Sequence, residues 1–358
     1  VRQVNTDCEG PIVLNDNALE LAAHFIPQGE EFFARLSKYD DYLADIVKKS
    51  GYRPGSTLIM ILPFLKAFGA TNKKIEYYSL YNIKPVPGAI ETYKYIKARM
   101  PLFIISTSYS PFAMALGEKL GVSAENVYST KLDLDQYETD AKETIHLKEL
   151  VKEILYNPVI EIPPHVTSPE YLPPQVKANA HRLDQIIWQE VVTMKSGRVL
   201  LDVSPVGGIE KAKAIQDSVD REGSHLNDVI YLGDSITDAE ALRLVKDNGG
   251  AAISFNGNSY AIEAAEIACI SPNAIVTAVL ADIFQRGGRE GIINIANKWS
   301  PSAIREAGIE ESLLNKFFAA FEREFPIVEV INDESKDRLI DQSETFRGIL
   351  RGKAGQLG

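Results

Sequence analysis

The chain has little cysteine and no long apolar run. Only Cys8 and Cys269 occur among 358 residues, which excludes a disulfide framework and fits a reducing cytoplasm. No stretch of about 18 apolar residues appears, so nothing reads as a membrane span, and no charged-then-apolar leader opens the sequence. Positive charge is scarce as well: Lys and Arg number 38 against 49 Asp and Glu, for a net charge of −11. That balance argues against nucleic acid as the main partner. The histidines (His24, His146, His165, His181 and His225) show no metal-ligand spacing and read as structural or exposed. What is present is globular: 45% hydrophobic residues, enough for more than one core.

Strand and helix patterns alternate along the chain. Val1–Thr6 reads as a strand, although Arg2, Gln3 and Asn5 interrupt the apolar run that a buried parallel strand favours. From Ala18 to about Tyr81 the apolar spacing is helical, punctuated by Pro27, "GYRPGS" and Pro63. Pro87-Gly88 predicts a turn, Ala89–Met100 a helix, Leu102–Ile105 a buried strand and Pro111–Leu120 a further helix. "NVYSTKLDLD" reads as a strand and Thr139–Leu155 as an amphipathic helix. The prolines crowded into 158–174 predict an extended loop. Beyond it come a helix over Gln175–Met194, a hairpin-like "MKSGRVLLDVS" and a glycine-bounded helix in "GGIEKAKAIQDSVDREG". "NDVIYLGDSITDAEAL" predicts strand, loop and helix, and Ala251–Phe255 another strand. After about residue 290 the chain reads as helical, and "RGILRGKAGQLG" is expected to fray. The alternation predicts an α/β fold with a doubly wound parallel sheet, which binds ligands at the carboxyl ends of its strands.

Those strand ends carry the chemistry. Asp7 and Glu9 stand two apart in "DCEGP", and in extended backbone such side chains share a face. An aspartate can attack a phosphoryl group as a covalent nucleophile, while a second carboxyl serves the leaving group. "LFIIS" ends in Ser106, then Thr107 and Ser108 lead into a helix, where hydroxyl and N–H groups can hold a phosphate. "GDSITD" sets Asp234 and Asp238 after an apolar strand. Three converging carboxylates repel one another unless a cation neutralises them, and oxygen donors without clustered His or Cys favour Mg²⁺ over zinc. Lys211 is a point charge able to steady a nucleophile and phosphoryl oxygens, with Lys213 as its competitor. Taken singly, each feature has a plainer reading: a strand-ending acid, a turn, a hydroxyl-rich loop, a solvated helix lysine. Their joint order points to phosphoryl chemistry.

In that order the chain resembles the haloacid dehalogenase superfamily of phosphohydrolases. "DCEG" is similar to the family's Asp-x-Asp-Gly with Glu in third place, "LFIIS" to its strand ending in Ser or Thr, "KAKA" to its Lys-Gly-x-Ala, and "GDSITD" to its Gly-Asp-x-x-x-Asp. Lys211 precedes Asp234 by 23 residues, as in the phosphoserine phosphatase branch. The resemblance implies that Asp7 forms an aspartyl-phosphate and that Glu9 protonates the leaving oxygen and then activates water. It implies Mg²⁺ held by Asp7, the Glu9 carbonyl and Asp234, with Asp238 orienting the metal's shell or Lys211. Ser106 and the Thr107 amide would hold the phosphate, with Asn256 at the rim. Asp-x-Glu-Gly also occurs in a phosphoserine–homoserine phosphotransferase, and Asp-x-Glu-Gly-Pro in a subunit family of archaeal energy-converting hydrogenases.

The same resemblance implies a core of residues 1–12, 82–125 and 199–290, a helical cap over 13–81, a second insertion or small cap over 126–198, and a C-terminal helical extension over 291–358. Arg35, Arg53 and "IEYYSLYN" are candidate substrate contacts, with surface and core roles the plainer reading. Phe317, Phe318, Phe321 and Phe325 recur at helical spacing and predict a packing stripe. The expected activity is Mg²⁺-dependent hydrolysis of a small phosphorylated metabolite in the cytoplasm. The alternatives are transfer to an alcohol acceptor, or a non-catalytic subunit of a larger complex.

Overall fold

The computed structural model describes residues 1–48, 52, 55–163 and 166–356. Seven strands form one sheet: β1 (Gln3–Thr6), β2 (Leu102–Tyr109), β3 (Val127–Thr130), β4 (Val229–Gly233), β5 (Ala251–Phe255), β6 (Ile267–Ile270) and β7 (Ile327–Val330). Their order is β3-β2-β1-β4-β5-β6-β7. All neighbours pair in parallel except β7, which runs antiparallel to β6. The sheet is mostly parallel and flanked by helices, as an α/β architecture requires.

Side-chain alternation puts a separate core on each face. Val4, Leu102, Ile104, Ile230, Leu232, Ile253 and Phe255 face one side, where they pack against the helices Ala89–Lys97 and Ile275–Ala296. Ile105, Val229, Tyr231 and Ala252 face the other, against the helices Ile209–Glu222 and Ala239–Asp247. Because both faces are covered, β4 and β5 are buried along their whole length.

The polar residues that weaken β1 as a sequence signal have partners. Gln3 and Asn5 both bond to the Ser218 hydroxyl, at 2.8 and 2.7 Å, and Ser224 donates to Gln3 at 2.8 Å. Two amide side chains thus replace apolar contacts with a satisfied polar ladder between β1 and the helix behind it.

Three expectations need correction. "MKSGRVLLDVS" forms no hairpin; it folds as two short helical turns, Ser196–Arg198 and Val199–Asp202. Ser196 donates through its amide and hydroxyl to Glu143 at 2.8 and 2.6 Å, and a Cβ on Gly197 would fall 1.6 Å from the Val191 carbonyl oxygen, so close backbone contact fixes the turn. The region after residue 290 is not wholly helical, because "IVEV" closes the sheet as β7. The stretch at 347–356 does not fray: the helix Lys336–Arg351 docks against the sheet end through Leu339, Ser343 and Arg347.

Between β1 and β2, and again between β3 and β4, the chain leaves the sheet. Leu19, Phe32, Leu36, Leu62 and Leu65 from the first excursion share one apolar cluster with Leu147, Leu150, Leu183, Ile187 and Val199 from the second. The two inserts therefore pack on each other. Tyr109, at the end of β2, joins this cluster and its hydroxyl donates to the Leu58 carbonyl, which ties the inserts to the sheet edge. Among the described residues no helix is long and apolar enough to cross a membrane.

Candidate active site

β1 lies between β2 and β4, where the strand order changes direction. Ligands in open parallel sheets bind outside the strand ends at such a point. Asp7 follows β1 there, and its amide donates to the Leu232 carbonyl at 2.8 Å, which fixes its height beside Asp234. One carboxylate oxygen accepts from the Cys8 amide at 2.6 Å, and the other lies 2.7 Å from Lys211 Nζ.

Lys211 is fully buried on the helix Ile209–Glu222. Its ammonium also meets Asp238 Oδ1 at 2.7 Å. Asp238 is saturated: Tyr231 donates to Oδ1 at 2.6 Å, and the amides of Asp234 and Ser235 donate to Oδ2 at 2.9 and 3.1 Å. Burial works against the Lys211 charge, but Asp238 and Asp7 outweigh it and hold its pKa above the usual lysine value. Burial also favours the neutral form of Asp238, and here Lys211 wins and lowers the pKa. Burial pushes Asp7 well up, with Lys211 opposing. The ionised trio is the form in which every donor meets an acceptor. Lys213, the competing lysine, pairs at the surface with Glu210 at 3.0 Å.

Glu9 is turned differently from the expectation. β1 ends at Thr6, so Asp7 and Glu9 do not share a regular strand face. The Glu9 carboxylate accepts from the Asn17 amide at 2.8 Å and the Ser108 hydroxyl at 2.6 Å. Burial, then the charge of Asp16, push its pKa up to about 8 against the pull of Arg351. Gly10 then turns the chain with φ +90°; a Cβ there would lie 2.4 Å from Asp234 Cγ, so this position takes glycine for both reasons.

Asp7, Glu9, Ser106, Thr107 and Asp234 all line one cavity, with about 130 Å³ open to water-sized occupants. Ser106 is buried and accepts from the Ser108 amide at 3.1 Å, leaving its own O–H to donate. The Thr107 hydroxyl donates to the Val206 carbonyl at 2.9 Å, so its contribution is through backbone. Asn256 does not line the cavity. It adopts φ 48°, and its amide exchanges two 2.8 Å bonds with the Ser271 backbone, clipping the ends of β5 and β6 together. Arg35 pairs with Glu31 and the Asn157 carbonyl instead of entering the cavity, the "IEYYSLYN" tyrosines stay off its walls, and Arg53 and His165 lie outside the described residues.

The inserts close the cavity with Asp16, Phe33, Asp40, Thr57 and Leu58. Two further wall residues, Arg347 and Arg351, belong to no motif in the sequence. Both guanidiniums bond to Asp234 Oδ2, Arg351 at 2.8 Å. Their signal was their four-residue spacing, which puts both on one helix face. Among the described residues, Asp7, Asp234 and Asp238 are the group of side chains whose ligand atoms approach closely enough to share a metal, within 4.8 Å of one another.

No protein-family model matches the chain, and no curated protein matches it. Among solved structures, the chain is similar over its whole length to gene product AF1437 from Archaeoglobus fulgidus, with 26% identity, a TM-score of 0.80 and 99% of that chain covered. A phosphoserine phosphatase structure described as a phospho-aspartyl intermediate analogue is 16% identical, with a TM-score of 0.44, over 75% of this chain and 92% of that one. A structure described as a HAD family hydrolase from Salmonella enterica subsp. enterica serovar Typhi is 12% identical, with a TM-score of 0.41, over 70% of this chain and 60% of that one. The first shares the complete fold; the other two are too distant to assign an activity.

Proposed function

We propose that the chain is a phosphohydrolase of the haloacid dehalogenase type, cleaving a small phosphate monoester through Asp7. The observation that carries this is the Asp7 carboxylate, fixed between the Lys211 ammonium and the Cys8 amide on the wall of a cavity. An aspartate oriented by a buried cation and a backbone donor is a positioned nucleophile.

In the first step an Asp7 oxygen attacks phosphorus, forming an acyl-phosphate as the ester P–O bond breaks. The leaving alkoxide takes a proton from Glu9, whose carboxyl shares the cavity. Water then attacks the phosphorus, Glu9 takes its proton, and Asp7 and inorganic phosphate are released. The Ser106 hydroxyl and the Arg347 and Arg351 guanidiniums line the same cavity and would meet the negative charge that develops on the phosphoryl oxygens, while Lys211, off the cavity wall, acts through Asp7. The scarcity of cysteine suits a reducing cytoplasm as the setting.

The oxygen donors suit Mg²⁺ by type, but their present arrangement does not fit it. Both Asp238 oxygens are taken, Asp7 is held by Lys211 and Cys8, and Asp234 Oδ2 carries two guanidiniums. Mg²⁺ belongs to this reading only for a state in which Asp234 is released, and no step above uses it.

The test is turnover of p-nitrophenyl phosphate and a panel of small phosphate monoesters, with and without Mg²⁺, in the native chain and in Arg347→Met/Arg351→Met. Turnover abolished by Asp7→Asn, with phosphate trapped on Asp7, is the expected result. No turnover in either form would overturn the proposal. Transfer to an added alcohol would appear as a new phosphorylated product. The hydrogenase-associated reading rests on "DCEGP" alone, and no feature of the cavity favours it.

A further inference from the structure

The carboxylates at the strand ends are already neutralised by the protein. Asp7, Asp234 and Asp238 face Lys211, Arg347 and Arg351, all buried or nearly so, so their formal charges cancel. The guanidiniums do more than pair with Asp234 Oδ2. Arg347 also donates to the Asp234 and Gly355 carbonyls at 3.0 and 2.9 Å. Arg351 donates to the Leu14 and Asn15 carbonyls at 3.2 and 2.7 Å. Two cations on one carboxylate oxygen exceed what an ordinary structural ion pair needs, and the oxygen they cover lines the cavity.

The helix that brings them is held by a narrow stripe. Leu339, Ser343, Arg347 and Arg351 follow one another at four-residue spacing along Lys336–Arg351. Leu339 is buried against Ile262 and Ile270, and the Ser343 hydroxyl donates to the Gly257 carbonyl at 2.6 Å. The two arginines are therefore one part of the attachment, beside Ile340 and Phe346, which pack on the same apolar cluster, and Glu344, which accepts from the Ser259 amide at 2.9 Å. Anything that takes Asp234 from them weakens the docking, and anything that weakens the docking frees Asp234.

We propose that the docked C-terminal helix and a divalent cation exclude each other at Asp234. With Arg347 and Arg351 in place the cluster is closed by its own cations; Mg²⁺ enters only when the helix leaves. A divalent ion beside two buried guanidiniums would set like charges together in a low-dielectric site, so simultaneous occupancy is disfavoured. This rests on the phosphohydrolase reading only in naming Mg²⁺ as the competitor.

The experiment measures Mn²⁺ binding to the full chain by electron paramagnetic resonance, with hydrogen exchange over residues 336–351. Arg347→Met/Arg351→Met is expected to bind Mn²⁺ at least tenfold more tightly than the native chain. Leu339→Ala, which loosens the helix without touching the cavity, shifts affinity in the same direction and stands in should the double variant fail to fold. In the native chain, any Mn²⁺ that binds is expected to strip protection from 336–351. Equal affinity in native and variant chains, or Mn²⁺ bound with that protection intact, overturns the proposal. No readout depends on phosphate turnover, so loss of the hydrolase reading leaves this result interpretable, and the reverse.

Discussion

Arg351 Nη1 lies 2.8 Å from Asp234 Oδ2, across 117 residues of chain. The pair joins the last long helix to the end of β4 and makes the C-terminal segment a wall of the cavity. The acids at the sheet end are therefore balanced by a lysine from below and two arginines from the side.

Lys211 carries the lower part of that balance. Lys211→Met leaves Asp7 and Asp238 buried without their counter-charge, which costs about 3–5 kcal/mol when one partner of a buried ion pair is removed. Urea unfolding is expected to show this loss, and Asp238→Asn in the same background should recover part of it. An unchanged midpoint for Lys211→Met would mean that the trio is not ionised.

Glu9 is assigned the proton for the leaving group, which sets a substrate-dependent expectation. Glu9→Gln should reduce kcat/KM on an alkyl phosphate by about 10²-fold or more. The loss on p-nitrophenyl phosphate should be much smaller, because p-nitrophenolate departs without a proton. Equal losses on the two substrates would remove Glu9 from this role.

Asp40 gives a pH signature in the inserts. It accepts from the Tyr52 hydroxyl, the Gly55 amide and the Thr57 amide and hydroxyl. Burial nevertheless pushes its pKa up to about 6, against those hydrogen bonds. The native state thus holds a proton that the unfolded chain releases between about pH 4 and 6. Its stabilising contribution is complete below the unfolded pKa and lost as pH rises through 6. Compared with Asp40→Asn, the native chain should gain up to about 3 kcal/mol between pH 7 and pH 4. Urea titrations of both proteins at pH 4, 5 and 7 measure it; a pH-independent difference would contradict the assignment.

Gly10 offers a steric test. Gly10→Ala meets both a positive φ and a contact of 2.4 Å to Asp234 Cγ, so Asp234 must move. A loss of about 1–3 kcal/mol is expected, read as a fall in thermal midpoint together with loss of turnover. A variant as stable and active as the native chain would show that the turn can relax.

The sequence carried the parts of the site that follow a strand directly. Asp7 and Asp234 directly follow β1 and β4, while Ser106 and Thr107 lie within β2, which runs on past the expected end at Ile105 to Tyr109 with a slipped register against β3. Lys211 was legible from its distance to Asp234 in the chain. Asn256 misled because an asparagine after a strand serves equally well to adopt a left-handed backbone and clip a neighbouring loop, as it does with Ser271. The Gln3 and Asn5 ladder argued against β1 because its partner, Ser218, lies on a distant helix. The aromatic stripe was correctly local: Phe317 packs on Phe318, Phe321 and Phe325. Arg347 and Arg351 lay in a terminal, polar-looking segment, and only the path through β7 reveals that it returns to the sheet.

That return has a consequence for biogenesis. Synthesis delivers Asp7 and Asp234 before the two guanidiniums, and domains form as units while it proceeds. The sheet neighbours β1, β2, β4 and β5 can assemble earlier, with Asp234 still facing solvent and ions. Until residues 347–351 emerge, a nascent polypeptide holds Asp234 without its two arginine partners.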